Sequence, residues 1–392
     1  MYIKTALAAN RILNHMGLIE SKLSVIQNNN SDSSYFSKIT KQFGHIELQL
    51  TDKCNLNCFH CHFRNLGDDH FEYDWLEIIS KVIKPKAISL IGGGEPTCYP
   101  NFSDAIYKLA NNLTNVKLGL ITNGVIIPKG NWHNHLSWLR VSYYAIENDK
   151  YCGKPKKFQK SVLNNIFWYL NNTNVENIGV SFLLHRKSIN QTVQFLVDII
   201  SNLEKFDGDI KRFNIQFKPA FIVVKPASID DQLHLTNLNF LADKNQIYKV
   251  YQEIQSLLNK NRFYYNIINN HSNYHIFNEL LDRNLLKMIQ STDPSQKTPK
   301  NFDHCYYCLA FQLITPSGDM YPCPTLAEFR DKSYSTGNIS DIVRSDKHIY
   351  NFYTAPTLCC NSRFCRYTEH NSIISGALKT KMYKNKYDDP FF

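Results

Sequence analysis

Three thiols stand together early in the chain: residues 51–63 read TDKCNLNCFHCHF, with Cys54, Cys58 and Cys61 separated by three and then two residues. Thiols this close can ligate a single metal centre. Electron-transfer [4Fe–4S] clusters are held by four cysteines, so a cube held by three leaves one iron open to an outside ligand. The amino and carboxylate groups of S-adenosylmethionine (SAM) are a suitable bidentate ligand for such an iron. A zinc ion completed by His60 or His62 is the competing reading, because three Cys and one His also make an adequate tetrahedral site.

A second thiol group lies far along the chain, as CYYCLAFQLITPSGDMYPC at 305–323 and CCNSRFC at 359–365, so nine of the 11 cysteines fall in two clusters. The first residues, MYIKTALAANRILNHMG, interrupt their apolar positions with Lys4, Asn10, Arg11 and Asn14, unlike a secretory signal. No stretch approaches the roughly 18 apolar residues of a membrane span. A cytoplasmic protein with reduced, metal-binding thiols is therefore expected, rather than a disulfide framework. The formal charge of +10 suits an acidic partner such as a nucleotide, phosphorylated metabolite or acidic peptide, and equally suits solubility alone.

The elements that must position these groups follow an alternating pattern. Short β-rich runs at 46–50, 87–91, 117–122, 139–144, 178–184 and 213–217 are separated by helical patterns near 74–83, 101–113, 158–171 and 188–204. Such alternation predicts βα units on a parallel sheet, and six strands predict an α/β fold with a partial (β/α)6 TIM-like barrel. In such barrels the loops after the strands carry the chemistry. The cysteine loop follows the first strand, GGGEP at 92–96 the second, TNG at 122–124 the third, and Ser142 lies near the end of the fourth. The expected division is a helical leader over 1–43, the barrel with a helical extension over 44–300, a small cysteine domain over 301–375 and a basic tail over 376–392.

CNLNCFHC, placed after a strand and followed by GGGEP after the next, resembles the C-x3-C-x-aromatic-C and second-strand motifs of the radical SAM superfamily. The resemblance covers about residues 44 to 220. It implies that Cys54, Cys58 and Cys61 hold a [4Fe–4S] cluster, with His60 in the ring position beside the adenine of SAM. It places Gly93, Gly94 and Glu95 at the methionine amino group: glycines let backbone approach a ligand closely, and a carboxylate can pair with an ammonium. RVSYYA at 140–145 resembles the fourth-strand segment of the family, which puts Ser142 at the ribose, with Tyr144 where an acidic residue is frequent. The zinc reading gives way to two motifs in the right order on consecutive strands.

Cys308, Gly318 and Cys323 resemble the C-x9-G-x4-C opening of the SPASM/twitch extension, here without the remainder of the full SPASM cysteine pattern. One auxiliary [4Fe–4S] cluster is implied, held by four of Cys305, Cys308, Cys323, Cys359, Cys360 and Cys365, with Cys308, Cys323, Cys360 and Cys365 the preferred set. An alternative set begins with Cys305 and Cys308, whose spacing to Cys323 is similar to that of the cyclase of molybdenum cofactor synthesis. A structural zinc knuckle is the plain reading of the same residues. Cys152, in the loop after the fourth strand, is a candidate hydrogen-atom donor to a substrate radical, although a cysteine in such a place is commonly a small packed side chain. The same holds for Cys98.

The resemblance implies reductive cleavage of SAM to a 5′-deoxyadenosyl radical that abstracts a substrate hydrogen, with an electron donor such as flavodoxin or ferredoxin. Oxidative modification or crosslinking of a ribosomal peptide is the leading expectation for the substrate, and a sugar, nucleotide or other small molecule the second. A non-catalytic iron–sulfur or zinc protein is the reading of another class. No helix-turn-helix or aromatic single-strand platform points to nucleic acid.

Overall fold

The computed structural model describes residues 12–28, 39, 41–58, 61, 63, 66–143, 158–186, 188–219, 244–271, 302, 304–328, 330–343 and 367–380. His60, Cys152, Cys359, Cys360 and Cys365 lie outside them.

Helix α1 (Met16–Asn28) leads into strand β1 (His45–Gln49). Helix α2 (Trp75–Ile78), extended by a π turn over Ile79–Ile83, precedes β2 (Ala87–Ile91), and α3 (Phe102–Asn112) precedes β3 (Lys117–Thr122). Strand β4 (Leu136–Tyr143), α4 (Phe158–Asn172), β5 (Asn177–Leu184), α5 (Thr192–Leu203) and β6 (Phe213–Pro219) continue the alternation, and α6 (Lys244–Lys260) and α7 (Arg262–His271) follow. The described C-terminal part holds α8 (Tyr307–Ala310), β7 (Phe311–Ile314), β8 (Asp319–Tyr321), α9 (Pro324–Ala327), β9 (Gly337–Asn338) and α10 (Thr368–Thr380).

The six strands expected from hydrophobic alternation are present and pair in parallel, in chain order from β1 to β6. Beta-branched and leucine runs such as AISLI suit this arrangement, in which helices cover one face of the sheet. Strand β6 is not paired with β1, so the sheet is open, as in a partial barrel.

Two features depart from the expectation. Strand β7 joins the other edge in parallel with β1, His45 opposite Phe311, and β8 and β9 extend it antiparallel. The second cysteine region thus begins as a continuation of the barrel sheet, which four residues flanked by a short helix and a hairpin did not betray. The hairpin turns at Gly318, whose φ of 81° is left-handed and suits glycine. Helix α1 is no loose leader either: Met16, Ile19, Leu23 and Ile26 are buried in the same core as the strands.

That core lies between the sheet and its helices. Ile46 and Leu48, Ile88 and Leu90, Leu139 and Val141 point into it, every second residue of each strand. The opposite, concave face is polar over much of its extent, carrying Glu47, Gln49, Ser89, Arg140, Ser142, Ser181 and Gln216. Near β1, β2, β7 and β8 it carries a second apolar cluster instead, formed by Tyr307, Phe311, Leu313, Tyr321 and Leu326 with Cys305 and Cys308. Among the described residues no helix is long and apolar enough to cross a membrane.

Candidate active site

The loop after β1 carries the first thiols to the C-terminal end of the sheet. Cys54 and Cys61 are exposed and Cys58 is half-buried, and a turn closed by Cys61 N–H to Cys58 O (3.1 Å) brings the last two together. The Cys54 sulfur accepts a long hydrogen bond from Leu56 N–H (3.4 Å). Although the residue as a whole is exposed, partial burial around its sulfur pushes the thiol up to about 12, opposed by the Leu56 N–H and reinforced by Glu95, Cys58 and Cys61. Loading a metal here must therefore displace protons.

Two loops are sewn to this one. Gly94 N–H donates to Thr51 O (2.8 Å) and Glu95 N–H to Lys53 O (2.9 Å), while Gln49 Nε2 donates to Gly92 O (3.0 Å). The fit is tight enough to demand glycine: a Cβ at Gly94 would overlap the Lys53 carbonyl, and one at Gly93 would strike the Asp52 carboxylate and the Arg330 guanidinium. In the third loop, Asn123 Nδ2 donates to Asn55 Oδ1 (2.7 Å), one residue beyond Cys54.

Glu95 is the node of this arrangement. Its Oε1 accepts from Thr122 Oγ1 (2.6 Å), Thr97 Oγ1 (2.7 Å) and Thr97 N–H (3.2 Å), and its Oε2 from Asn123 N–H (2.8 Å). Burial raises its carboxyl above the usual range, against the pull of these donors. The carboxylate therefore joins the exits of β2 and β3 from inside the protein. Ser142 stands on the concave face near the end of β4, opposite Ser181, since its neighbours Val141 and Tyr143 face the helices. Cys98 closes the short turn after Glu95, with its N–H on Glu95 O (2.9 Å).

Arg330 reaches this site from the segment after α9. Its Nη2 donates to Asp52 Oδ1 (2.6 Å), its guanidinium lies 5.6 Å from the centre of the Phe63 ring, and its Nε and Nη1 are buried with no partner among the described residues. Gln49 Oε1 is likewise buried and unpartnered there.

Of the second cysteine group, Cys305 and Cys308 are buried and Cys323 is half-buried. Cys308 Sγ donates to Cys305 O (2.9 Å), and the Cys305 thiol and burial push the Cys308 thiol well above its ordinary range. Stacked rings pack alongside: Tyr307 lies 4.0 Å from Tyr367 and 4.6 Å from Phe311, centre to centre. Asn371 of α10 accepts from Tyr307 N–H (2.8 Å) and points its amide at Cys305 Sγ (3.7 Å).

As placed, no three His, Cys, Asp or Glu side chains among the described residues converge closely enough to hold a metal ion. Each group nevertheless fits an iron–sulfur cluster by donor chemistry. The first offers three soft thiols on one loop, backed by backbone too close for side chains. The second gathers three thiols within electrostatic range of one another and of the buried Lys22 amino group, which has no hydrogen-bond partner among the described residues.

Sequence motifs located the cysteine and glycine loops. They placed Asp52, Thr122 and Asn123 at strand exits without giving them a role, and they missed Arg330. TDK before the first cysteine and TNG after β3 carried a signal, as polar residues at strand exits. Arg330 carried none.

Residues 48–134 match the family model of the radical SAM superfamily. A probable GTP 3′,8-cyclase of Methanococcus maripaludis is 28% identical over 95 residues, 23% of this chain and 31% of its own length. The GTP 3′,8-cyclase of Vibrio parahaemolyticus is 25% identical over 224 residues, 54% of this chain and 63% of its own. The chain thus spans under a third of the first of these relatives and under two thirds of the second. Among solved structures, Streptococcus suis SuiB bound to precursor peptide SuiA superposes with a TM-score of 0.51 at 13% identity, covering 83% of this chain and 67% of that one. That likeness is one of fold: a mixed α/β architecture with a parallel sheet. Over residues 48–134 the chain thus matches a family of enzymes, the radical SAM superfamily.

Proposed function

We propose that the protein uses Cys54, Cys58 and Cys61 to hold a [4Fe–4S] cluster with one open iron, and cleaves SAM there to initiate radical chemistry on a bound substrate. The observation that carries this reading is the hydrogen-bonded union of the cysteine loop with GGGEP, through Thr51 and Lys53. When bound, the cluster and SAM supply a 5′-deoxyadenosyl radical able to take hydrogen from an unactivated carbon.

The chain's own residues supply placement. Gln49 and Thr51 hold the backbone of Gly92 and Gly94, Glu95 locks the second and third strand exits together, and Asn55 and Asn123 tie the cysteine loop to the third. Ser142 presents a hydroxyl group on the concave face, which suits the ribose. His60 and Cys152 keep the roles of ring neighbour to the adenine and hydrogen-atom donor as proposals from sequence. Cys308 and Cys323, with Cys360 and Cys365 or with Cys305, hold an auxiliary [4Fe–4S] cluster in a small C-terminal SPASM/twitch-like region. An electron donor such as flavodoxin or ferredoxin supplies the reducing electron.

For the substrate, a ribosomal peptide undergoing oxidative modification or crosslinking is the leading reading. A fold shared with a protein seen bound to a precursor peptide supports it. A nucleotide or sugar is the second reading, favoured by the polar concave face with Arg140, Ser181 and Gln216, and by sequence similarity to GTP cyclases.

The test is anaerobic reconstitution with iron and sulfide, then reduction by dithionite in the presence of SAM. The parent is expected to release 5′-deoxyadenosine and hold about eight irons per chain, two cubes' worth. A variant with Cys54, Cys58 and Cys61 all changed to Ala should release none and hold about four. Tightly held zinc with intact SAM would overturn the reading.

A further inference from the structure

Helix α1 packs against α8, the short helix that carries Cys308. The contact is made in part by a residue that the apolar face of α1 does not call for. Lys22 is 1% exposed, and its ammonium sits 4.0 Å from the centre of the Phe43 ring. Its Nζ has no hydrogen-bond acceptor among the described residues. Burial lowers the Lys22 ammonium to about 7, and negative charge at Cys308 opposes that by raising it, while Cys305 and Cys323 act in turn on Cys308.

A buried ammonium with no acceptor is costly, because taking an ion out of water costs more than contact with an aromatic face returns. Leucine or methionine would fill the same space on this helix at no such cost. The arrangement balances if negative charge is present on the cysteine side. A thiolate-ligated iron–sulfur cluster supplies it, because four thiolates leave a [4Fe–4S] cube with net negative charge in its common oxidation states.

We propose that Lys22 is the built-in counter-charge of the auxiliary cluster, a positioning residue on α1 that sets the reduction potential of the cluster ligated by Cys308 and Cys323. This rests on the reading that the second cysteine group holds such a cluster. It gives α1 a task beyond packing: the segment before the barrel closes one side of the auxiliary site and carries its positive charge. Potentials of iron–sulfur clusters respond to net charge, burial and nearby donors. Removing a fixed positive charge disfavours adding an electron, so the potential falls.

The test uses the full chain in the Cys54, Cys58, Cys61 triple-Ala background, where iron reports the second site alone. Lys22→Met keeps length without charge, and Lys22→Arg keeps charge. Iron per chain is measured after reconstitution, and the midpoint potential is measured by a redox titration followed by electron paramagnetic resonance. Expected are about four irons in all three proteins, a lower potential in Lys22→Met and a near-parental one in Lys22→Arg. Loss of iron in Lys22→Met with retention in Lys22→Arg would also support the charge role.

Unchanged potential in iron-replete Lys22→Met overturns the inference while leaving the auxiliary cluster standing. So does equal loss of iron from both variants, which makes Lys22 a packing residue. Absence of iron from the triple-Ala protein with native Lys22 removes the cluster reading itself, and the inference with it.

Discussion

Arg330 and Asp52, 278 residues apart in sequence, form a largely buried ion pair of 2.6 Å that fastens the segment after α9 to the start of the cysteine loop. Arg330 holds a left-handed backbone, φ 51°, which costs a non-glycine residue roughly 1 kcal/mol or more. Strain of this kind persists where surroundings over-determine it. Here the Asp52 carboxylate and the Phe63 ring do so. The C-terminal segment is thereby coupled to the geometry of the first thiols.

Removing one member of a buried pair leaves the other charge uncompensated, at a cost of roughly 3 kcal/mol. Asp52→Asn and Arg330→Met are each expected to lose about that much unfolding free energy by urea titration. The pair of changes Asp52→Leu with Arg330→Met should recover most of it, because apolar replacements of similar volume are often neutral. Additive losses in the double variant would show that the two residues act separately.

Gly94→Ala tests the union of the first two loops. Its methyl would meet the Lys53 carbonyl and the Asp52 backbone, neither of which can swing away as a side chain would. Overpacking of this kind costs about 2 kcal/mol. The variant should fold with lowered thermal midpoint and bind SAM weakly by isothermal calorimetry on the reconstituted protein. Parental affinity would show that the loops can separate without harm to the cofactor site.

The Glu95 carboxylate makes a pH-dependent prediction. Burial raises its folded value above that of the unfolded chain, so its contribution to stability is full in acid and declines as pH rises through the raised value. Glu95→Gln keeps one acceptor but turns an amide toward the Asn123 N–H, and it does not titrate. The parent's advantage over Glu95→Gln, measured by denaturation at several pH values, should shrink as pH rises from about 4.5, the range of an ordinary glutamate. An advantage that grows with pH would mean that the hydrogen bonds from Thr97, Thr122 and Asn123 outweigh burial.

What the sequence made legible followed from period and motif. Strands such as Ala87–Ile91 and Lys117–Thr122 are bounded as their apolar alternation predicts, and the cysteine and GGGEP loops fall at strand exits. What it hid depended on long-range pairing. Nothing in FQLI at 311–314 distinguishes a strand of the barrel sheet paired with β1 from a strand of a separate domain. Nor does a lone arginine after a cysteine announce its carboxylate 278 residues away. Lys22 was hidden for another reason: a single lysine in an amphipathic helix is expected to face water, and only tertiary packing of α1 on α8 reverses that.

Asn371 joins the last described helix to the second thiol group. It is fully buried, its Oδ1 takes the N–H of Tyr307, and its Nδ2 serves both Tyr367 O (3.1 Å) and the Cys305 sulfur (3.7 Å). Asn371→Ala strands a buried backbone N–H, a loss of about 2 kcal/mol, and frees the turn that presents Cys305 and Cys308. The variant is expected to unfold at lower urea and, after reconstitution, to hold the irons of the first cluster while losing those of the second, about four of eight. Asn371→Asp keeps the acceptor for Tyr307 but brings a negative charge toward thiolates, so it should spare much of the stability and still lose iron. If both variants retain the full iron content, the auxiliary site does not depend on α10, and Asn371 acts only in the fold.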